Sequence, residues 1–360
     1  MSVQSSSAPL PPCEVAWFAA LCDDDYEQLG VANPALVSSV EHCGAIVVAA
    51  EAGGFDNILL PSGYQLGIDA VSFAAAMSQH TTRIKLLVAV RMGELWLPQL
   101  ARQMATLQQM MGGPDAGRLT INIISSEMPG ESLDSAPRYQ RTRESMHALR
   151  ALMNGQPLDM AAEWVSMRVD PPRLTATRSR CPPLYFGGTS DDAKAVAAEA
   201  ADVYLMWPDT IDEVARTIAD MRHRAGEYGR TLRFGYRVHV IVRETEAEAR
   251  DAADHLVAAL DPQTGAAIRA QSLDSQSAGV RRQAELRESS ADDGYVEANL
   301  WTGIGRGRSG CGAAIVGDPQ QVAAKLNAYR ALGIDSFILS GYPHRGECER
   351  FSQTVLPLLR

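Results

Sequence analysis

Arg237 and His239 stand two residues apart in the segment Arg233-Phe-Gly-Tyr-Arg-Val-His-Val-Ile-Val-Arg243. Side chains alternate between the faces of a strand, so the cation and the imidazole share one face, while Tyr236, Val238, Val240 and Val242 share the other. A purely structural strand of an α/β protein is buried on both sides and reads as a near-continuous apolar run. A guanidinium beside an imidazole therefore marks either a solvated or carboxylate-paired strand end, or a polar pocket that holds an anion. Tyr342 and His344 repeat the spacing in Ser340-Gly-Tyr-Pro-His344 and would face one side if the strand ran that far. Arg308, in a glycine-rich stretch, and Trp207, ending an apolar run, complete a set of two guanidiniums, two imidazoles, a phenol and an indole. The set has no central carboxylate pair, which argues against glycoside hydrolysis. Its surplus of donors suits an oxyanion substrate. Ser125-Ser126 and Gly187-Gly188-Thr189-Ser190 add hydroxyls and backbone N–H groups. The second leads into a helix, where a phosphate could be received. The plain alternative is a turn with a serine cap, which Asp191 and Asp192 in the first helical turn favour unless they point outward.

Eight apolar segments must position these residues: 14–19, 57–61, 83–91, 118–125, 183–188, 202–207, 233–243 and 336–340. Helical patterns alternate with them. Leu36, Val40, Val47 and Val48 run towards Gly53-Gly54, and 70–79 and 97–111 follow. Met146, Leu149, Leu152 and Met153 stop short of Gly155, with Gly at the helix end as expected. Ser190, Thr245 (in Thr-Glu-Ala-Glu248) and Asp318-Pro319 read as helix starts. Eight strands alternating with helices predict a (β/α)8 barrel of the TIM type. A doubly wound open sheet is the alternative, but its glycine-rich turn after the first strand is absent. In a barrel, every candidate residue but Arg308 falls at the C-terminal strand ends, where active sites gather. Residues 262–312 break the rhythm after the seventh strand. They read as an insertion with weak periodicity, a mobile lid over the site or, across 271–293, a disordered spacer. Residues 1–13 read as a disordered tail, and 14–360 as a single barrel domain.

The formal charge of −10 over 360 residues leaves no global positive field for nucleic acid or an anionic membrane surface. A small anionic substrate would need local cations, which sharpens the interest of Arg237. The six cysteines show neither CxxC pairs nor zinc-type spacing and read as reduced thiols of a cytoplasmic protein. No His-x-His marks the first strand, which carries Trp17-Phe18 instead, so a metal-hydrolase barrel is not indicated. The start of the chain does not read as a signal peptide, and no apolar run reaches the length of a membrane helix.

Several segments resemble the alkanesulfonate monooxygenases, within the bacterial-luciferase-like flavin monooxygenases. They are Cys181-Pro-Pro-Leu-Tyr-Phe-Gly-Gly-Thr-Ser-Asp191, the 233–243 strand, Asn299-Leu-Trp-Thr-Gly-Ile-Gly305, Val316-Gly-Asp-Pro319 and Gly333-Ile-Asp-Ser-Phe-Ile-Leu-Ser-Gly-Tyr-Pro-His344. The resemblance runs from about Val15 to the C-terminus. It implies a luciferase-like barrel that uses reduced FMN (FMNH2) from a separate NAD(P)H-dependent flavin reductase, in a dimeric or tetrameric enzyme. It also implies oxygen-dependent cleavage of the C–S bond of an organosulfonate to sulfite and an aldehyde. Matched residue by residue, it places Arg237, His239, Arg308 and Tyr342 in catalysis. Trp207, His344 and the two arginines fall at the substrate, while Ser125, Gly188, Thr189 and Ser190 are the expected cofactor contacts from their place at strand ends and a helix start. Two loops depart from the family pattern: Tyr64-Gln65-Leu66 replaces Arg-Ser-Cys, removing the usual thiol, and Ser125-Ser-Glu-Met-Pro-Gly130 replaces a glycine-rich sequence. These departures predict an altered substrate such as the sulfosugar sulfoquinovose rather than a simple alkanesulfonate. The competing expectations are a deazaflavin-dependent hydride transfer without desulfonation, and a non-catalytic barrel that keeps a sulfonate pocket.

Overall fold

The alternation along 233–243 is realised as a ten-residue strand, Arg233–Val242. Tyr236, Val238, Val240 and Val242 pack outward in the main hydrophobic core, whereas Arg237 points inward, its guanidinium carbon 4.4 Å from the centre of the Phe18 ring. The structure is a computed structural model and describes residues 10–63, 67–128, 130–177, 180–270, 277–308 and 310–360. Eight parallel strands close a barrel: β1 Glu14–Phe18, β2 Asn57–Leu60, β3 Lys85–Arg91, β4 Leu119–Ile124, β5 Leu184–Gly187, β6 Val203–Met206, β7 Arg233–Val242 and β8 Ser336–Ser340. Each neighbour pairs with the next, β6 pairs with β7, and β8 with β1, so no edge is left open. Helices follow the strands, capped where expected by Ser190, Thr245 and Asp318, the last two in full capping boxes.

The barrel floor is polar and fully bonded. Glu14 accepts hydrogen bonds from Lys85 (2.6 Å), Tyr185 (2.7 Å), Asn57 (3.2 Å) and Ser336 (3.2 Å). Above it, Ala16, Phe18, Leu59, Leu87, Tyr185 and Ile338 fill the interior.

The 262–312 segment is more regular than its composition predicts. It contains helices Pro262–Ala270 and Ala278–Glu288, short strands Tyr295–Glu297 and Leu300–Trp301, and a 3-10 turn Gly303–Arg306. The weak periodicity has a physical reason. The second helix buries Gly279, Gln283 and Leu286, a stripe with only one apolar side chain. A further strand, Ala314–Gly317, was not expected. It pairs with β7 from His239 to Val242, on the edge β6 no longer covers, and so ties the insertion directly to the site.

Candidate active site

His239 is wholly buried. Its Nδ1 shares a 2.7 Å hydrogen bond with the Ser340 hydroxyl, while its Nε2 has no partner. Burial, then the nearby Arg237 and Arg308 charges, hold its pKa well below the usual histidine value, so the ring is neutral at physiological pH. Arg237, 4 % exposed, pairs with no carboxylate among the described residues; one Nη donates to the Val238 carbonyl at 3.2 Å. Burial and the neighbouring Arg308 charge lower its pKa.

Tyr342 and His344 do converge on this pair, but not through a continued strand. β8 stops at Ser340, and His344 opens the next helix, His344–Thr354. The turn between them stacks the Tyr342 ring on His239 (5.2 Å between centres) and sets His344 edge-on to it (5.0 Å). His344 Nδ1 and its backbone N–H both meet Asp25 Oδ1 at 2.9 Å, and its Nε2 is buried without a partner. Asp25 also accepts from His42 Nε2 at 2.9 Å. Burial alone would raise the Asp25 pKa, but its hydrogen bonds from His344 and His42 bring it below the usual carboxylate value. Arg308 comes in from the insertion: one Nη donates to Asp24 Oδ2 at 3.1 Å and also to the Tyr342 hydroxyl. Burial pushes the Tyr342 pKa up, so the hydroxyl keeps its proton and can donate it.

A cavity of about 790 Å³ opens beside this cluster, across the C-terminal ends of β1, β2, β4, β5 and β6. Arg308 and Asp24 line it, as do all four residues expected at the cofactor, Ser125, Gly188, Thr189 and Ser190, and Trp207. Arg237, His239, Tyr342 and His344 do not line it: Arg237 packs on Phe18 and Tyr342 is bonded by Arg308, both of which do, while Tyr342 also lines a second cavity with Ile241, Arg243 and Leu256. The Ser190 hydroxyl caps the helix at Ala193, while Asp191 faces outward to Arg224 (2.8 Å), which leaves the helix start free of that acid. Lys194, one turn on, also lines the cavity, with its ammonium bonded to Asp220 at 2.8 Å. Gly187 is needed for another reason, since a Cβ there would lie 2.1 Å from the Leu205 carbonyl oxygen.

The insertion is clasped to the barrel end. Arg282 binds Asp209 through two hydrogen bonds of 2.7 and 2.8 Å, and Gln283 donates to the Pro208 carbonyl at 2.7 Å. Trp207 lies between Gly279 and Gly310; a Cβ on Gly279 would approach its ring to 2.8 Å.

Three contributors escaped the sequence reading. Asp24 and Asp25 sit in Asp23-Asp-Asp25, which resembles a solvated acidic run. Cys22 lines the cavity from the segment after β1, its thiol pushed up to about 12 by burial and by Asp24. The Tyr64-Gln65-Leu66 departure lies outside the described residues. Among those described, no group of three His, Cys, Asp or Glu could hold a metal ion, and no helix is long and apolar enough to cross a membrane.

The barrel has its counterpart in sequence: the family model of the luciferase-like monooxygenases matches residues 16–336, and the chain belongs to that family. It is 62 % identical to a sulfoquinovose monooxygenase of Novosphingobium aromaticivorans over 96 % of each chain. It is 48 % identical to a sulfoquinovose monooxygenase of Agrobacterium fabrum, over 99 % of this chain and 92 % of that one. Among solved structures, the EDTA monooxygenase of Chelativorans superposes with a TM-score of 0.78 at 19 % identity, covering 97 % of this chain and 93 % of that one. At that identity the likeness concerns the barrel alone.

Proposed function

We propose that this protein is an FMNH2- and O2-dependent monooxygenase that cleaves the C–S bond of sulfoquinovose, releasing sulfite and the 6-aldehyde of the sugar. One observation carries the reading: Arg308 bonds Tyr342 and Asp24, while Arg237, near enough for its charge to act on the Tyr342 hydroxyl, pairs with no carboxylate among the described residues. Such a cluster is short of negative charge, and a sulfonate supplies it through directed N–H donors. The identity to two sulfoquinovose monooxygenases supports the choice of sulfonate.

The cavity fits a flavin. Its volume lies within the range of cofactor sites, and Gly188, Thr189 and Ser190 at a helix start offer phosphate donors. Ser125 would approach the ring system. When bound, reduced FMN supplies two electrons to O2, of which one oxygen atom ends in the aldehyde and the other in water. Arg237 and Arg308 hold the sulfonate oxygens and stabilise negative charge as it develops. Neutral His239, oriented by Ser340, accepts or relays a proton through Nε2, and the Tyr342 hydroxyl donates one. His344, fixed by Asp25, lies against the substrate end of this cluster, and Trp207 packs on the substrate. The 262–312 cover keeps bulk water out. A separate NAD(P)H-dependent flavin reductase delivers the reduced cofactor, and the enzyme works in the cytoplasm as a dimer or tetramer.

The test is sulfite release from a panel of sulfonates, run aerobically with FMN, NAD(P)H and a flavin reductase. Release from sulfoquinovose ahead of octanesulfonate is expected. Release from octanesulfonate alone overturns the substrate, and release from none overturns desulfonation.

A further inference from the structure

Asp24 is an odd neighbour for a sulfonate. Its carboxylate lines the cavity, its side chain 14 % exposed, and holds Arg308 through one oxygen at 3.1 Å. The other oxygen, Oδ1, is buried and has no hydrogen-bond partner. An ionised carboxylate has about four acceptor positions. Among the described residues Asp24 uses one. A buried acceptor left unbonded costs free energy, and a carboxylate beside an anionic ligand adds repulsion. Both penalties persist for a plain alkanesulfonate, which has no donor to offer. Both are relieved by an uncharged donor on the substrate, next to the sulfonate.

We infer that Asp24 is the specificity-determining acceptor of the site, reading a ring hydroxyl of the sulfosugar while Arg308 reads the sulfonate. The shared guanidinium sets the geometry. Because Asp24 and the sulfonate both bind Arg308, the hydroxyl read by Asp24 must lie on the same side of the substrate as the sulfonate. In a hexose 6-sulfonate the 4-hydroxyl meets this condition, being two carbons from the sulfonated carbon. The same carboxylate excludes alkanesulfonates, which leave it half-bonded and facing their charge. This inference rests on the sulfosugar reading of the substrate and names how that substrate is chosen.

The experiment is a double-mutant cycle across the enzyme and its substrate. Sulfite release is measured for the wild type and for Asp24→Asn on sulfoquinovose and its 2-, 3- and 4-deoxy analogues, with FMN and a flavin reductase present. For the wild type, the 4-deoxy analogue is expected to lose roughly 10- to 100-fold in kcat/KM, the range for a hydrogen bond to a charged group; a loss confined to the 2- or 3-deoxy analogue overturns the inference. In Asp24→Asn that loss should shrink to within a few-fold, because the charged acceptor is already gone. Equal losses in both enzymes would assign Asp24 to holding Arg308 alone and overturn the inference. So would a wild type indifferent to all three deletions, a result that does not depend on whether the variant folds. Sulfite from octanesulfonate but not from sulfoquinovose overturns the substrate reading and this inference with it. A wild type that releases sulfite from no sulfonate overturns both together with desulfonation itself.

Discussion

Arg237 shows how the residue scale sets stability against function. A buried guanidinium carries a large desolvation cost, repaid only by close pairing and full hydrogen bonding. Arg237 has one backbone hydrogen bond, the face of Phe18 and the repulsive charge of Arg308 nearby. The fold therefore bears a cost that an anion bound at Arg237 would relieve. Arg237→Met, similar in volume and uncharged, should raise the thermal unfolding midpoint, by roughly 1–3 kcal/mol in unfolding free energy. Sulfite release should fall about 100- to 1000-fold, as for loss of one preorganised donor to a developing anion. Calorimetry and steady-state kinetics on the same preparation check both. A midpoint that falls would mean that Arg237 is a structural residue, and activity near that of the wild type would remove it from the site. The two-residue spacing with His239 made this residue legible in the sequence, because a polar pair on one face of an otherwise apolar strand needs a reason. Asp24 and Asp25 gave no such signal. Acidic runs are usually solvated, and what buries these two is the return of Arg308 and His344 from more than 280 positions away in the chain.

At the scale of elements, the eight barrel strands were legible because each is an apolar run between turn signals, while 262–312 was not. Its helix Ala278–Glu288 meets the barrel through Gly279, Gln283 and Leu286, and through Arg282, which any sequence pattern assigns to solvent. Polar clasps leave no periodicity. The Arg282–Asp209 pair is the strongest of them: the two bonds Arg282 donates to Asp209 raise its pKa despite partial burial. The guanidinium is 36 % exposed, so solvent screening limits its worth to about 1 kcal/mol. Arg282→Ala should then let the helix 278–288 open about fivefold more often, read as faster amide exchange there while the barrel strands keep their protection. Turnover should fall as well, since Gly279 and Gly310 of the same insertion flank Trp207 and Arg308 leaves from it. Unchanged exchange would mean that Gln283 and the 314–317 strand hold the cover without the clasp.

Across the whole molecule, the two ends of the barrel differ in how fully their buried polar groups are bonded. Although the protein carries a formal −10, its mouth mixes Arg237 and Arg308 with Asp24 and Asp25, and its floor centres on the carboxylate of Glu14, bonded to Lys85. The contrast is in satisfaction, not in sign. Glu14 sits on β1 and takes bonds from Asn57 on β2, Lys85 on β3, Tyr185 on β5 and Ser336 on β8, so one carboxylate joins five of the eight strands. The mouth, by comparison, keeps three buried polar atoms without partners, Asp24 Oδ1, His239 Nε2 and His344 Nε2. A bonded floor lets the mouth stay unbonded, because the strands there are already held in register. Burial would raise the Glu14 pKa, but Lys85 and the hydrogen bonds outweigh it and bring the value below the usual 4.5. A carboxyl depressed in the folded state stabilises the protein above its unfolded pKa, and this stability is lost as pH falls through the lower, folded value. Glu14→Gln should therefore cost about 2–3 kcal/mol at pH 7, at the lower end for a broken buried pair because Lys85 is 38 % exposed. The gap to the wild type should narrow as pH is lowered past about 4.5. Denaturant midpoints of both proteins at pH 7 and pH 3.5 check this. A gap of constant size would mean that the Glu14 shape, rather than its charge, joins the strands.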